Sequence, residues 1–501
     1  MLLSLLFSAA LAAPSLTLAG ACPGPVSVTA SGFTPNGQVA LVRGAGPGLT
    51  VAPPGVCGGT QLGLASPSVV AVGAADAAGG RTWTTNLGAA ACATELVAVD
   101  LTTCAVAAPV SLRPRPAPWE VSYDLIYNGD ASFMDLEPMA DGWAWAVETT
   151  QGPMLLQLDD RGATRDVWTL PMAAVDALAP TADGGWLVAG AASALDDPAL
   201  VRLSSTGAVR WARAWDDGTA DLGFFAADVA SDGRFLAAGP WEIGVSPSGV
   251  EQWRARHIGD DGHVNSVEAM PGGWLLAGQW IDAAYAGPSH AVVTRLDLAG
   301  QTVWSRSYAG GDWDWPHTAL PTADGGAVVT GWSFSFDDQR SCFLTRLDAA
   351  GDVRWSRAYT TPGGTSCADV AQTADGGFAL TGFVSDGPSP VDDLRLLLLR
   401  TDADGHLLSA TTHGPGGGVR LAASARGGLL VVGWRAGDLA LRALRTDPLG
   451  RTGCEQPVAL VEVDAPWTVT PWASAADPVL TDVPLAGGVG ARPTLTLPVC
   501  L

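Results

Sequence analysis

Lysine is absent from this 501-residue chain, and all 27 basic residues are arginine. Chemistry that needs a lysine amine, such as Schiff-base formation, is therefore excluded. Positive charge is scarce altogether. Against 50 acidic residues the formal net charge is −23, and a chain without a basic patch is a poor nucleic-acid binder. Histidine is nearly as rare. The six residues are His257, His263, His290, His317, His406 and His413. None is spaced as a zinc ligand, and no Cys-x-x-Cys pair occurs. Gly-x-Ser-x-Gly is missing as a strand-to-helix elbow. No sustained 3.6-residue period appears and glycine is frequent, which argues against helices. Beyond the N-terminus no apolar run is long enough to span a membrane.

A repeat is present. Thr-Ala-Asp-Gly-Gly occurs three times, ending at Gly185, Gly326 and Gly377. Each copy belongs to a degenerate unit found seven times between Asp135 and Gly453. Aligned on the first turn glycine, the units fall at Gly142, Gly184, Gly233, Gly272, Gly325, Gly376 and Gly427. Each reads as an apolar run, a short turn and a second run, then a longer loop, a third run, a tight turn and a fourth. Asp-Gly between apolar runs is a hairpin signal, with positive φ expected at both turn positions. The tight turn recurs as Leu347-Asp348-Ala-Ala-Gly351 to Trp355, as Leu296 to Gly300 to Trp304, and as Leu203 to Gly207 to Trp211. Pro247-Ser-Gly249 to Trp253 is a looser copy. Four short strands per unit at this period predict a propeller blade. The fold class expected is thus all-β, a seven-bladed β-propeller over residues 119–453.

An open ring leaves an unpaired edge. The last unit carries Cys454 where others carry tryptophan, whereas Trp119-Glu-Val-Ser-Tyr-Asp-Leu precedes the first unit as an orphan fourth strand. Residues 118–126 are therefore expected to complete the last blade. The repeating tryptophans read as blade-to-blade packing, each worth about 1.5–3 kcal/mol through burial.

Outside the repeats, residues 1–21 read as a secretory signal peptide, with cleavage after Ala12, Ala13 or Ala21. A lipoprotein alternative would place the lipid on Cys22. Residues 22–112 read as a disulfide-bonded small β-sandwich, 113–118 as a proline-rich linker, and 454–501 as a C-terminal β extension, either a flap on the ring or a partial sandwich. Eight cysteines, an even number, fit an oxidising compartment and thus a secreted or cell-surface protein. Their order suggests Cys22–Cys57, Cys92–Cys104, Cys342–Cys367 and Cys454–Cys500.

With these motifs in hand, the chain resembles secreted bacterial β-propeller proteins built from Asp-Gly-Gly repeats. The segment Asp348 to Trp355 is similar to the tryptophan-docking motif of quinoprotein propellers, which set the glycine one residue further on and usually have eight blades. The resemblance implies a blade, and no particular activity.

In an up-and-down blade the longer second-to-third and blade-to-blade loops share one face, and such loops usually carry function. Acids gather there: Asp196, Asp197, Asp216, Asp217, Asp260, Asp261, Asp312, Asp314, Asp337 and Asp338, with Trp313, Trp315 and Tyr285 among them. Carboxylates that crowd need water, arginine or a cation between them, and Ca²⁺ is the cation expected outside cells. The alternative is solvated loop acids that serve solubility. The expected function is non-catalytic binding of a protein or glycan at this acidic, aromatic face. The alternative is a secreted hydrolase or oxidoreductase acting there or in the axial channel.

Overall fold

The computed structural model describes residues 14–483, except 21–23, 45–56, 59, 61, 63, 65, 88–93, 108–109, 112–117, 127–133, 140–141, 193–196, 217–222, 259–261, 282–287, 338, 386–393, 425–426 and 473–480. All regular structure among these residues is β. Contacts divide the chain into two units, 1–116 and 117–501.

The first unit holds two antiparallel sheets. Ser15–Gly20, Gly24–Ser31 and Arg81–Leu87 form one; Ser68–Ala74, Gln38–Gly44, Glu95–Asp100 and Val110–Ser111 form the other. Val26, Val28, Val39, Leu41, Leu96 and Ala98 share one core between them. The strand Ser15–Gly20 pairs with Gly24–Ser31 and buries Leu16. The expected signal peptide 1–21 therefore overlaps an element of the fold; of the expected cleavage points, those after Ala12 or Ala13 leave that strand whole. Cys57 is bonded to Cys104, which overturns the expected Cys22–Cys57 and Cys92–Cys104. Order along the chain misleads because the turn after Glu95–Asp100 carries Cys104 to Cys57. Cys22 and Cys92 lie outside the described residues.

Among the described residues the second unit holds seven antiparallel sheets, here numbered in chain order. Their first strands are Met134–Met139, Ala174–Pro180, Ala226–Val229, Gly262–Met270, Asp314–Pro321, Thr365–Gln372 and Gly417–Ala423. Neighbouring first strands touch in order, and the seventh touches the first. No sheet has a core of its own. Seven apolar clusters each span two adjacent sheets, and the one containing Trp145, Leu156, Val432 and Leu441 joins sheet 7 to sheet 1. Second and third strands are buried on both faces for this reason, and they read as continuous apolar runs. Sheet 7 takes its outermost strand from Trp119–Ile126, paired with Ala440–Arg445, as the orphan strand implied.

Two side-chain devices explain the repeat. In the first, the outer strand docks on the next sheet's tight turn. The Trp304 indole nitrogen donates to Ala349 O at 3.0 Å and Tyr308 donates to Gly351 O at 2.6 Å. Gly351 has φ 82°, and a Cβ there would lie 2.8 Å from the Trp304 ring. Trp168, Trp211, Trp253 and Trp355 meet Gly207, Gly249, Gly300 and Gly405 likewise. Tyr123 donates to Gly162 O and so docks sheet 7 on sheet 1.

The second device lies in Thr-Ala-Asp-Gly-Gly. Thr181, Thr322 and Thr373 donate to the carboxylates of Asp183, Asp324 and Asp375. Each carboxylate also receives a largely buried arginine of the third strand, Arg202, Arg346 or Arg400. Only the glycine has positive φ, at Gly184, Gly325 and Gly376. This corrects the expectation of positive φ at both turn positions; the aspartate acts through its side chain.

From Gln456 onward the chain runs back around the ring. Gln456–Pro457, Val461–Asp464, Thr468–Pro471 and Thr481–Val483 add fifth strands to sheets 6, 5, 4 and 2. The C-terminal extension is thus an edge strap. Cys342 and Cys367 are bonded, as their order suggested, and they link sheet 5 to sheet 6. Cys454 is also disulfide-bonded, but Cys500 lies outside the described residues. With a sequence separation of 25 between the bonded cysteines, the chain-entropy model gives about 3–4 kcal/mol. Replacing both Cys342 and Cys367 by alanine should lower unfolding stability by that order in denaturant titration.

Candidate functional site: the axial channel

The first strands leave a channel on the ring axis with a volume of about 350 Å³, lined by residues of all seven. Five of these strands carry a β-bulge, for example between Val264 and Ser266 and between Cys367 and Asp369. A glycine of the second strand faces the bulge: a Cβ on Gly382 would lie 1.9 Å from Ser366 O. Bulges re-aim side chains. Here the residue after the bulge faces the channel, giving Ala177, Ser266, Thr318, Asp369 and Arg420, with Asp135 at the equivalent position of sheet 1. Two residues on, Glu137, Asp228 and Glu268 form a second acidic belt.

Much of this polar lining joins the ring. Asp135 accepts from Leu178 N at 2.8 Å, Asp228 from Ala269 N at 2.6 Å, and Asp369 from Leu421 N at 2.7 Å. Ser266 accepts from Ala319 N, and Thr318 donates to Ala368 O. Arg420 meets Asp135 at 3.3 Å, linking sheet 7 to sheet 1. Each contact ties one sheet to the next, so these groups are already committed to structure.

Glu137 and Glu268 are different. Their carboxyls take no hydrogen bond from a described protein group, and both line the channel. They are enclosed by protein yet reachable by channel water. Burial pushes both well above the usual carboxylate range, and the neighbouring carboxylates, Asp135 and Asp228 foremost, push the same way. Burial also raises Asp228 to about 6, against its two backbone N–H bonds, and Asp369 to about 6, against Arg420. Like charges in a low-dielectric site cannot all ionise. The belt therefore gives up its protons at higher pH than ordinary carboxyls do.

Toward the longer loops lies an aromatic cluster, called the mouth here, of which Phe225 lines the channel. Phe225 meets the His263 ring at 5.4 Å, and His263 meets Trp315 at 5.7 Å. Trp315 stacks on Trp332 at 5.5 Å with 14° between planes. The Arg340 guanidinium lies 4.8 Å from the Trp332 ring centroid, near Phe334 and Phe383 as well. Burial depresses His263 to about 4 and, together with Arg420, His317 to about 3, so both imidazoles are neutral. Gln279 is fully buried beside His263 with its Oε1 unpartnered.

Of the residues expected at the loop face, Trp315 is the one placed in this mouth. Asp314 is buried and its carboxylate accepts from Gly310 N, Ser333 Oγ and Ser335 Oγ. It fastens the loop and is not a surface acid. Asp312 is exposed, and its carboxylate accepts from Trp313 N. Asp337 accepts from Thr360 Oγ1 at 2.8 Å. Asp197 is bonded within the protein. The backbone of Asp216 pairs with Thr481 at the edge of sheet 2. Asp196, Asp217, Asp260, Asp261, Tyr285 and Asp338 lie outside the described residues. Among the described residues no group of three His, Cys, Asp or Glu could hold a metal ion, so the expected calcium has no described site. Sequence reasoning passed over Asp135, Glu137, Asp228, Glu268, Asp369 and Arg420. One signal was available: Asp135, Thr318, Asp369 and Arg420 each stand seven residues before a turn glycine.

A pH dependence follows. Between the ordinary carboxyl range near 4–4.5 and the raised folded-state values, the folded protein holds protons that the unfolded chain has released. Stability from the belt is then full at the acid end of this window and falls as pH rises through it. Glu137→Gln with Glu268→Gln should raise the melting temperature at pH 8 and leave it nearly unchanged near pH 4, as scanning calorimetry across that range would record.

No protein-family model matches the chain, and no curated protein matches it. Its fold is similar to several solved structures. A Dos1 propeller is 11% identical, with 70% of this chain and 85% of that one covered and a TM-score of 0.42. A luciferin-regenerating enzyme is 12% identical, covering 55% and 92%, with a TM-score of 0.35. An auxiliary nutrient-binding protein from Bacteroides ovatus is 9% identical, covering 86% and 98%, with a TM-score of 0.33.

Proposed function

We propose that this chain is an exported, non-catalytic binding protein: a seven-bladed β-propeller preceded by a small β-sandwich. Its ligand is a small polar molecule bearing a positive charge, held in the axial channel with its body at the aromatic mouth. The observation that carries the reading is the pair Glu137 and Glu268, which line the channel and take no hydrogen bond from a described protein group. A cationic ligand would favour their ionised forms and release protons on binding. Trp315 and the neighbouring rings offer faces on which a sugar or other flat body can stack. Export is supported by the disulfides Cys57–Cys104 and Cys342–Cys367. No helix of the described residues is long and apolar enough to cross a membrane.

The same pair favours the alternative of a hydrolase, because a carboxyl whose hold on its proton is strengthened by burial suits a general acid. Glucosamine and spermidine are suitable probes. Calorimetric titration at pH 7 in buffers of different ionisation enthalpy should show binding with proton release. Binding should be lost with Glu137→Gln and Glu268→Gln together, and weakened about tenfold by Trp315→Ala, roughly 1.4 kcal/mol. Absence of binding heat with either probe would refute the cationic-ligand reading, and turnover across a hydrolase panel would select the enzyme.

A further inference from the structure

Acidic residues outnumber arginine by 50 to 27 in this chain, so a carboxylate partner is expected for an arginine drawn partly out of water. Arg202, Arg346 and Arg400 meet that expectation with Asp183, Asp324 and Asp375. Arg340 does not. Among the described residues its guanidinium makes no hydrogen bond and no ion pair. Its contacts are with rings: Trp332 at 4.8 Å, Phe383 at 5.6 Å and Phe334 at 5.8 Å from the ring centroids. The nearest described acid in sequence, Asp337, accepts from Thr360 Oγ1 instead.

The arginine is held in place. It stands immediately before Ser341–Leu347, the third strand of sheet 5. Its carbonyl accepts from Thr365 N of sheet 6 at 2.7 Å. Two residues on, Cys342 N donates to Thr365 Oγ1 at 2.9 Å, and Cys342 is bonded to Cys367 of sheet 6. The rings come from both sheets. Trp332 lies on the second strand of sheet 5 and stacks on Trp315. Phe334 meets Trp332 edge-on at 5.6 Å and is 36% exposed. Phe383 is half-buried on the second strand of sheet 6.

Ring contacts stabilise a cation, but they leave its five N–H donors without ordinary acceptors. Those donors form a planar fork that matches the two oxygens of a carboxylate. Burial pushes the guanidinium below the ordinary arginine value, as for a cation with no counter-charge, although an arginine stays charged throughout the working pH range. Rings that shut out water on one side also strengthen any ion pair formed on the other.

We propose that Arg340 anchors a second binding site, at the seam of sheets 5 and 6, for the carboxylate of a small organic acid whose ring rests against Phe334 and Phe383. Aromatic acids and sugar acids share this chemistry. None of these side chains lines the axial channel, so the inference stands apart from the cationic-ligand reading.

Ligand-observed NMR titration at neutral pH and low salt, with benzoate and glucuronate as probes, tests the site. At least one acid should bind, and its neutral counterpart, benzyl alcohol or glucose, should not. Which acid binds identifies the source. Added salt should weaken the binding. Arg340→Gln should weaken it at least tenfold, and Arg340→Lys, which keeps the charge and loses the fork, severalfold. Phe334→Ala, at a ring already exposed, should also weaken it severalfold and serves if Arg340→Gln does not fold. Failure of both acids to bind would overturn the proposal. So would affinity unchanged by Arg340→Gln, or by Phe334→Ala where the former does not fold.

Discussion

The contact on which this structure depends is an aromatic ring of one sheet laid on the turn glycine of the next. Trp304 on Gly351 and Trp355 on Gly405 are typical, and Tyr123 to Gly162 extends the arrangement across the joint between sheets 7 and 1. The contact matters because no sheet is stable by itself. Every apolar cluster of the ring draws residues from two adjacent sheets, so the burial that offsets chain entropy exists only between sheets. An open ring would lose one whole interface. Borrowing Trp119–Ile126 for sheet 7 makes the last interface as complete as the others.

The same requirement shapes the interior. Seven first strands brought around one axis cannot pack their inward side chains into a dry core, so they leave a water-accessible channel. Buried main-chain N–H groups on its wall need acceptors. Asp135, Asp228, Asp369 and Ser266 supply them from the neighbouring sheet. Carboxylates are thereby gathered where their charges repel, and burial and repulsion together hold some of them protonated. The acidic belt is first a product of how the ring is held, and Glu137 and Glu268, which bond to no described protein group, are what it adds beyond that need.

Much of the fold was legible from spacing. The turn glycines, the tryptophan four residues after a glycine and the Asp-Gly-Gly segments each mark a contact that recurs in several sheets. Repetition makes a local signal strong. The orphan strand at Trp119 could be recognised for the same reason, since it sits at nearly the same distance from the next turn as its counterparts. Connectivity was less legible. Cys342–Cys367 joins strands of consecutive sheets with a single strand between them, whereas Cys57–Cys104 joins the connections beyond Gln38–Gly44 and Glu95–Asp100, strands of one sheet that pair although far apart in sequence. The site was hardest to read. The loop acids stand out in sequence as pairs, but Asp314 turned out to be a buried fastening and Asp337 a partner of Thr360. The channel carboxylates stand singly, one or two per unit, and look like ordinary strand residues.

Sequence by itself determined the β repeat, the docking tryptophans, the closing strand and the absence of lysine chemistry, because each is a matter of local composition at a fixed interval. Only the tertiary structure decided that Asp135, Glu137, Asp228, Glu268, Asp369 and Arg420 face one another, although they are spread over some 285 residues of chain. Ring closure converts equal positions in separate units into neighbours, and a bulge sets which residue of each strand turns inward. Neither effect is visible in any one unit. The electrostatics of the channel therefore belong to the assembled ring.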